Sequence, residues 1–236
     1  MRSLDLPKTR VAVVAAARFH LRPLRRIHLA RRAPALRLGP VVVAGQEVAL
    51  RSPRLSDAPA WREIRLRDQR LIEPYWVSSA LSWPERHTEA TWVDECLQSR
   101  KAARAGSALP LVVEIDGRFA GQCNLERIDV RTKTAELGIW LDARVTGKGV
   151  CAGVGVLLAE YAISTLGLRR VTAPICVDNA AAAKRAERMG LRREGTMASF
   201  LDVGGRRRDH DLWAITPEMW ALAPKTGDPH PDTIQH

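Results

Sequence analysis

No run of eighteen apolar residues occurs in the chain, so no transmembrane helix and no membrane partner is expected. Cysteine is sparse. Cys96, Cys123, Cys151 and Cys176 stand more than twenty residues apart, without the paired spacing of a zinc site, and free thiols in a reducing cytosol are the simplest account. No metal is therefore expected, and no internal repeat is visible. Two familiar phosphate motifs are also missing. A dinucleotide fingerprint needs Gly-x-Gly-x-x-Gly, but Gly147 and Gly149 are followed by Gly153, one residue late. A P-loop needs a first glycine where Asp142 stands and a hydroxyl where Gly149 follows Gly147-Lys148. Cys151 has no readable base beside it, so a nucleophilic triad is not expected either.

At 236 residues the chain suffices for one well-packed domain, and a second would be small. The net charge of +11 is unevenly placed. Residues 1–35 carry nine Lys/Arg against Asp5 alone, so about +8 sits there and about +3 in the rest. Residues 1–37 therefore read as a basic, disordered extension, with three readings open. A secretory signal would need an apolar core longer than the seven residues Val11 to Ala17, and would not be followed by six arginines before Pro34. The others are an arm touching rRNA or another polyanion, and an unpacked extension or mis-set start. The tail, 221–236, carries Pro224, Gly227, Pro229 and Pro231 and reads as disordered. Residues 38–220 form the domain.

What is present centres on AELGIWLDARVTGKGVCAGVGVLLAEYAISTLG, which ends at Gly167. Ala135 to Leu141 is β-prone, Val150 to Leu166 has apolar residues at helical spacing, and a glycine-punctuated loop joins them. Such a loop places unpaired N–H groups at the positive end of a helix dipole, where they hold a phosphate or pyrophosphate. The stretch resembles the coenzyme A loop of the GNAT superfamily of N-acetyltransferases, Gln/Arg-x-x-Gly-x-Gly/Ala, with Thr146, Gly149 and Cys151 at the aligned positions: the central glycine is kept, the outer two depart. With RRVTAPICVDNAAAAKRAERMGLRREG and RDHDLWAI, the chain from about Leu38 to Trp220 resembles the RimJ/RimL type, which acetylates N-terminal amines of ribosomal proteins.

The order of elements agrees. A strand over Val41 to Arg51 precedes a helix signalled by Ser56-Asp57, and Pro84-Glu85 opens a second helix reaching about Arg104. Strands Leu111 to Ile115 and Phe119 to Ile128 are joined by Asp116-Gly117, a hairpin signal. After the central strand and helix come a strand at Arg170 to Val177 and a helix at Ala180 to Met189 stopped by Gly190. Strands at Met197 to Val203 and Arg208 to Ile215 close the domain around Gly204-Gly205. The resemblance implies an α/β (α+β) GNAT fold: a mixed, mostly antiparallel central sheet flanked by helices, with a splayed strand pair holding acetyl-CoA. Pro174, awkward inside a strand, falls in that wedge or at an ordinary edge.

It also implies roles. Gly147, Lys148, Gly149 and the N–H groups into Val150, Cys151 and Ala152 would anchor the pyrophosphate, and Thr146 replaces the usual arching side chain. Ile139, Trp140 and Leu141 border the wedge, where a backbone N–H near Ile139 or Trp140, just past a bulge, would stabilise the oxyanion. Glu136 is the candidate general base, the alternative being a strand carboxylate paired with an arginine. Asn179 contacts the pantetheine or caps its helix. The family's acid is missing, since Ala182 and Ala186 stand where a serine or tyrosine is usual. An α-amine, with a pKa of about 7.7 to 8, needs little help from a base, unlike a lysine near 10.4. For the acceptor, Tyr75, Trp76 and His87 are candidates, with Asp209 and His210 on the last strand; alternation puts Asp209 and Asp211 on one face and His210 on the other, and carboxylates facing a cleft would attract a protonated amine. The expected function is acetyl-CoA-dependent transfer to a protein N-terminus. The alternatives are a small amine such as an aminoglycoside or polyamine, or a non-catalytic acetyl-CoA-binding protein.

Overall fold

Turn chemistry divides the first half of the chain more finely than periodicity suggests. In a computed structural model, which describes residues 36–222, the single strand expected over Val41 to Arg51 is two, β1 (Arg37–Val43) and β2 (Gln46–Arg51). Ala44 and Gly45 lie between them with φ of 49° and 79°, a reversal that an apolar count does not register. The long helix expected from Pro84 is likewise two. Its first turn stops at His87, and Thr88 caps the second piece by accepting the Thr91 N–H at 3.1 Å. The basic extension and the C-terminal tail lie outside the described residues, apart from the ends that reach into β1 and the last helix.

The helices are α1 (Ala58–Arg67), α2 (Gln69–Ile72), α3 (Trp83–Arg86), α4 (Glu89–Arg104), α5 (Val150–Glu160), α6 (Ala180–Arg188) and α7 (Pro217–Leu222). The chain continues past α5 in wider turns to Thr165. The remaining strands are β3 (Val112–Ile115), β4 (Arg118–Asp129), β5 (Thr134–Leu141), β6 (Arg170–Cys176), β7 (Arg192–Val203) and β8 (Arg206–Ile215). All eight form one sheet in the order β1-β2-β3-β4-β5-β6-β8-β7, and only β5 and β6 run parallel. β7 begins five residues before the expected Met197, because Arg192 and Arg193 pair with Ala214 and Trp213 of β8.

Alternation along β5 serves two cores. Ala135, Leu137 and Leu141 join a large core with Val150, Val154, Leu157 and Leu158 of α5. Trp140 turns to the opposite face, into a smaller core with Trp61 and Ile64 of α1 and Trp92 and Cys96 of α4. α5 can lie close on β1 because Gly153 has no side chain: a Cβ there would come within 2.7 Å of Val43 Cγ2.

β5 and β6 part after Glu136↔Thr172, and the direction of the N–H groups explains why. Val177 donates to Asp209 O at 3.1 Å, so odd residues at this end of β6 donate toward β8, while Arg170 donates to Lys133 O, on the β5 side, at 3.3 Å. The donor after Thr172 in that even series is residue 174, a proline without an N–H, and the ladder stops there. On β4, Cys123 and Leu125 donate to Leu111 and Leu109 of the chain leading into and along the β3 side, both at 2.9 Å, leaving the even residues for β5. Gly138 and Trp140, opposite Asn124 and Gln122, therefore direct their N–H groups to β4. That of Leu137 closes the Glu136↔Thr172 pair, and those of Ile139 and Leu141, beyond it, face the opened seam. The bulge expected near Ile139 is not there; the register shift of this pair lies between Glu126 and Asp129 of β4.

Candidate functional site

The seam opens into a cleft of about 1020 Å³ that reaches both faces of the sheet. On the α5/α6 side its wall includes Ala143, Thr146 and Asn179 to Ala182, with Arg185 and Ala186; on the α1/α4 side it includes Arg65, Tyr75, Trp76, Glu95, Gln98 and Gln122. Leu137 to Leu141 and Ala173 to Cys176 form the seam itself.

The glycine loop stands at the first end. Gly149 is the N-cap of α5 in the left-handed conformation, φ 76°, with no side-chain cap. Ala152 N donates to Gly149 O at 2.9 Å, whereas the Val150 and Cys151 N–H groups meet no backbone acceptor, so the expected three-donor cradle reduces to two. Thr146, Gly147, Lys148 and Gly149 are exposed, and the Thr146 hydroxyl donates to Ala143 O at 2.8 Å instead of arching over the loop. The loop is tied down by Arg67, which holds Asp142 at 2.5 Å, and by Asp68, which accepts the Ala143 N–H at 2.9 Å. Cys151 packs into the large core, and burial pushes its thiol up, away from the nucleophilic thiolate. Asn179 lies on the cleft wall and caps α6, accepting the Ala182 N–H at 3.0 Å. Ala182 and Ala186 also face the cleft, so α6 presents no hydroxyl there.

Glu136 is not among the cleft-lining residues; Arg127 pairs with it in a partly exposed ion pair. Of the two backbone N–H groups considered for the oxyanion, Ile139 faces the seam and Trp140 is engaged with β4. Tyr75 and Trp76 do line the cleft, and the Tyr75 hydroxyl donates to Asp178 O at 3.2 Å. The last strand divides its two candidates. His210 is the residue on the cleft wall, buried with Nδ1 donating to Arg208 O at 3.0 Å. Asp209 instead accepts the Ser199 N–H at 2.8 Å, and Asp211 pairs with Arg193 at 2.7 Å.

His87 is not in the cleft at all. Its ring packs 4.0 Å from Trp83 and 5.2 Å from Trp61, and Nδ1 donates to Trp83 O at 2.7 Å. Burial pulls its pKa down to about 4, with Arg65 and Arg86 adding to the shift against the Trp83 bond. The folded state therefore favours the neutral ring. The resulting stability is whole above pH 6.5 and is lost as pH falls from there toward about 4. Between those limits the wild type is expected to lose up to about 3 kcal/mol relative to His87→Leu, measured by urea unfolding at a series of pH values.

Four residues that sequence spacing did not single out organise the second end. The Arg65 guanidinium lies 3.9 Å from the Trp76 ring centre and 4.0 Å from that of Trp140. Desolvation lowers its pKa to about 9, against the pull of Glu95, and it stays charged at neutral pH. Gln122 accepts from Trp140 Nε1 at 2.8 Å and Trp61 Nε1 at 3.2 Å, and donates to Glu95 Oε1 at 2.6 Å. Burial raises the Glu95 pKa, while Gln122 and Arg65 oppose the rise. Gly138, exposed between Glu136 and Trp140, forms bare floor. Arg65 had one sequence signal: it sits four residues after Trp61 on the buried stripe of α1. Among the described residues no group of three His, Cys, Asp or Glu could hold a metal ion, and no helix is long and apolar enough to cross a membrane.

Residues 47–192 match a family described as Acetyltransferase (GNAT) domain. Mycobacterium smegmatis RimJ, solved in complex with CoA-disulfide, is 32% identical with a TM-score of 0.76, covering 80% of this chain and 90% of that one. The ribosomal-protein-serine acetyltransferase of Escherichia coli (strain K12) is 28% identical over 134 residues, 54% of this chain and 73% of the relative. YdaF of Bacillus subtilis (strain 168) is 30% identical over 105 residues, 44% of this chain. The chain spans 57% of the length of YdaF.

Proposed function

The chain belongs to the acetyltransferase (GNAT) domain family, and on that premise we propose that it transfers the acetyl group of acetyl-CoA directly to an amine, the N-terminal α-amine of a ribosomal protein. The observation that carries this reading is the seam opened at Pro174, because it joins the glycine loop to a polar pocket through one continuous cleft. The Val150 and Cys151 N–H groups, with the positive end of α5, suit a pyrophosphate, and Lys148 in the loop and Arg185 on the wall add charge. The edge of β5 from Leu137 to Leu141 suits the amide-bearing arm, with Asn179 beside it. Acetyl-CoA brings an activated thioester; the Ile139 N–H faces the seam, where the thioester oxygen gains negative charge during attack. An α-amine is already neutral in roughly a tenth or more of molecules at pH 7, so a modest base suffices, and a thiol near 8.5 leaves without a strong acid. That chemistry tolerates alanine at positions 182 and 186.

The ribosomal acceptor follows the activity for which the Escherichia coli relative is named, and a cytoplasmic location suits both that acceptor and the four buried, free cysteines. The basic residues near the N-terminus would supply a nonspecific contact with rRNA or another polyanion. The test is free-thiol release from acetyl-CoA by the full chain, with peptides beginning Ala or Ser against a matched panel of small amines. Release with peptides is the expected result. Release with small amines alone moves the acceptor to an aminoglycoside or polyamine. Acetyl-CoA binding without release on either panel favours the non-catalytic reading that Ala182 and Ala186 would fit.

A further inference from the structure

The second end of the cleft holds a guanidinium and a carboxyl group that no hydrogen bond or ion pair joins. Arg65 is only 2% exposed, and neither its Nε nor its Nη1 has a hydrogen-bond partner. The two indoles cover the faces of the guanidinium but cannot accept its in-plane N–H bonds. Buried donors left in this state are uncommon, because each forgoes the bonds it made to water. Glu95 lines the same cleft with one oxygen bound by Gln122, and no ion pair joins it to Arg65. Between the walls lies the floor at Gly138, where a Cβ would meet nothing within 4 Å. A buried cation with unused donors calls for an oxygen acceptor, and a carboxylate beside it calls for a cationic or hydrogen-bearing nitrogen. The first residue of a polypeptide offers that pair, an α-amine and, two bonds along, a peptide carbonyl.

We propose that Arg65 and Glu95 form an acceptor subsite that reads a polypeptide N-terminus as an amine next to a carbonyl, Arg65 donating to the first carbonyl oxygen and Glu95 receiving a proton from the amine. The inference rests on the acetyl-transfer reading and narrows its acceptor. In the step, the α-ammonium gives one proton to the Glu95 carboxylate and becomes a neutral amine. Its lone pair then forms the C–N bond to the thioester carbon as the C–S bond breaks, and the remaining surplus proton on nitrogen passes to the departing thiolate. Glu95 returns its proton to solvent. Glu95 thus takes the role that Glu136, held by Arg127, leaves open. A polyamine or aminoglycoside fits poorly. It has no carbonyl for Arg65, and its further ammonium groups approach a desolvated guanidinium of the same sign.

The deciding comparison uses the full chain, acetyl-CoA and three acceptors: an Ala-initiated tripeptide amide, the same compound with its first peptide bond replaced by a trans alkene, and spermidine. The wild type is expected to favour the peptide over either of the others by at least about 100-fold in kcat/KM, the scale on which a site built around a hydrogen bond rejects an analogue lacking it. Arg65→Met should bring peptide and alkene within a few-fold of each other with KM for acetyl-CoA unchanged. Glu95→Gln should lower kcat with the peptide on the order of 100-fold and remove the acidic limb of its pH profile. If Arg65→Met does not fold, the wild-type ratio decides alone. Equal turnover of peptide and alkene, or preference for spermidine, overturns the subsite while leaving acetyl transfer standing. No thiol release with any acceptor overturns both.

Discussion

Replacing Gly138 by valine is expected to lower kcat/KM for a peptide acceptor by about 100-fold or more, while leaving the free energy of unfolding within about 0.5 kcal/mol of the parent. The two halves of this expectation have separate physical causes. Gly138 sits in β5 opposite Asn124, exposed, and its φ is not in the left-handed region. A Cβ there meets no atom within 4 Å, and valine suits a strand better than glycine does. Folding therefore loses nothing. The space valine would fill is the floor of the cleft between Trp140 and the seam, where an incoming amine has to come within bonding reach of the thioester, and an ångström of misplacement there is expensive. Thiol-release kinetics paired with urea unfolding measure both. Unchanged kinetics would mean that the acceptor does not cross Gly138, and the path through the cleft would have to be redrawn.

The largest expected loss of stability lies elsewhere, at Arg51. This side chain is 4% exposed and binds Asp57 through both terminal guanidinium nitrogens at 2.8 and 2.9 Å, while Nε binds Glu114. Asp57 also accepts the Arg54 N–H at 2.8 Å, and Arg37 reaches Glu114 at 2.6 Å, so the cluster joins β1, β2 and β3 to the start of α1. Burial would push the Glu114 pKa up, but the Arg37 and Arg51 hydrogen bonds outweigh it and hold the carboxyl below its ordinary range. Arg51→Met preserves bulk and leaves two buried carboxylates short of their main counter-charge. The expected cost is about 3 to 5 kcal/mol, read as a lower urea midpoint. The sign of the pH dependence follows from the Glu114 shift. Its contribution is present above the unfolded carboxylate pKa and disappears as pH falls below it, so the gap between wild type and Arg51→Met should narrow in acid. A variant as stable as the parent at pH 7 would show that the cluster fixes geometry without stabilising it.

The sequence carried the strand, glycine loop and helix because each rests on local chemistry: β-prone residues, Gly149 at a left-handed cap, and apolar spacing along α5. It carried the Asp116-Gly117 turn for the same reason, both residues having positive φ. Positions that depend on which way a strand faces were harder. Glu136 shares a face with Gly138 and Trp140, yet its fate is set by Arg127, displaced by a register shift in the neighbouring strand that alternation within β5 does not register. Asp209 and His210 were assigned to faces correctly, but the face turned toward the cleft depends on how β8 joins the sheet. Arg65 and Glu95 are ordinary helix residues until tertiary packing brings Trp76, Trp140 and Gln122 around them. His87 looked available beside Pro84 and is enclosed by Trp61 and Trp83, which lie 26 and 4 residues from it in the chain.

Pro174 has a consequence for specificity against the cell's other chains. An open strand edge recruits any extended polypeptide, and proteins ordinarily guard their outer edges against such sheet-to-sheet aggregation. Here the edge lies inside the sheet, with β6 still standing alongside and α5 and α6 behind it. Its unpaired groups are open only to something as slender as one extended chain and short enough to end within the cleft. The missing N–H thus provides the recognition mode of strand addition without its hazard.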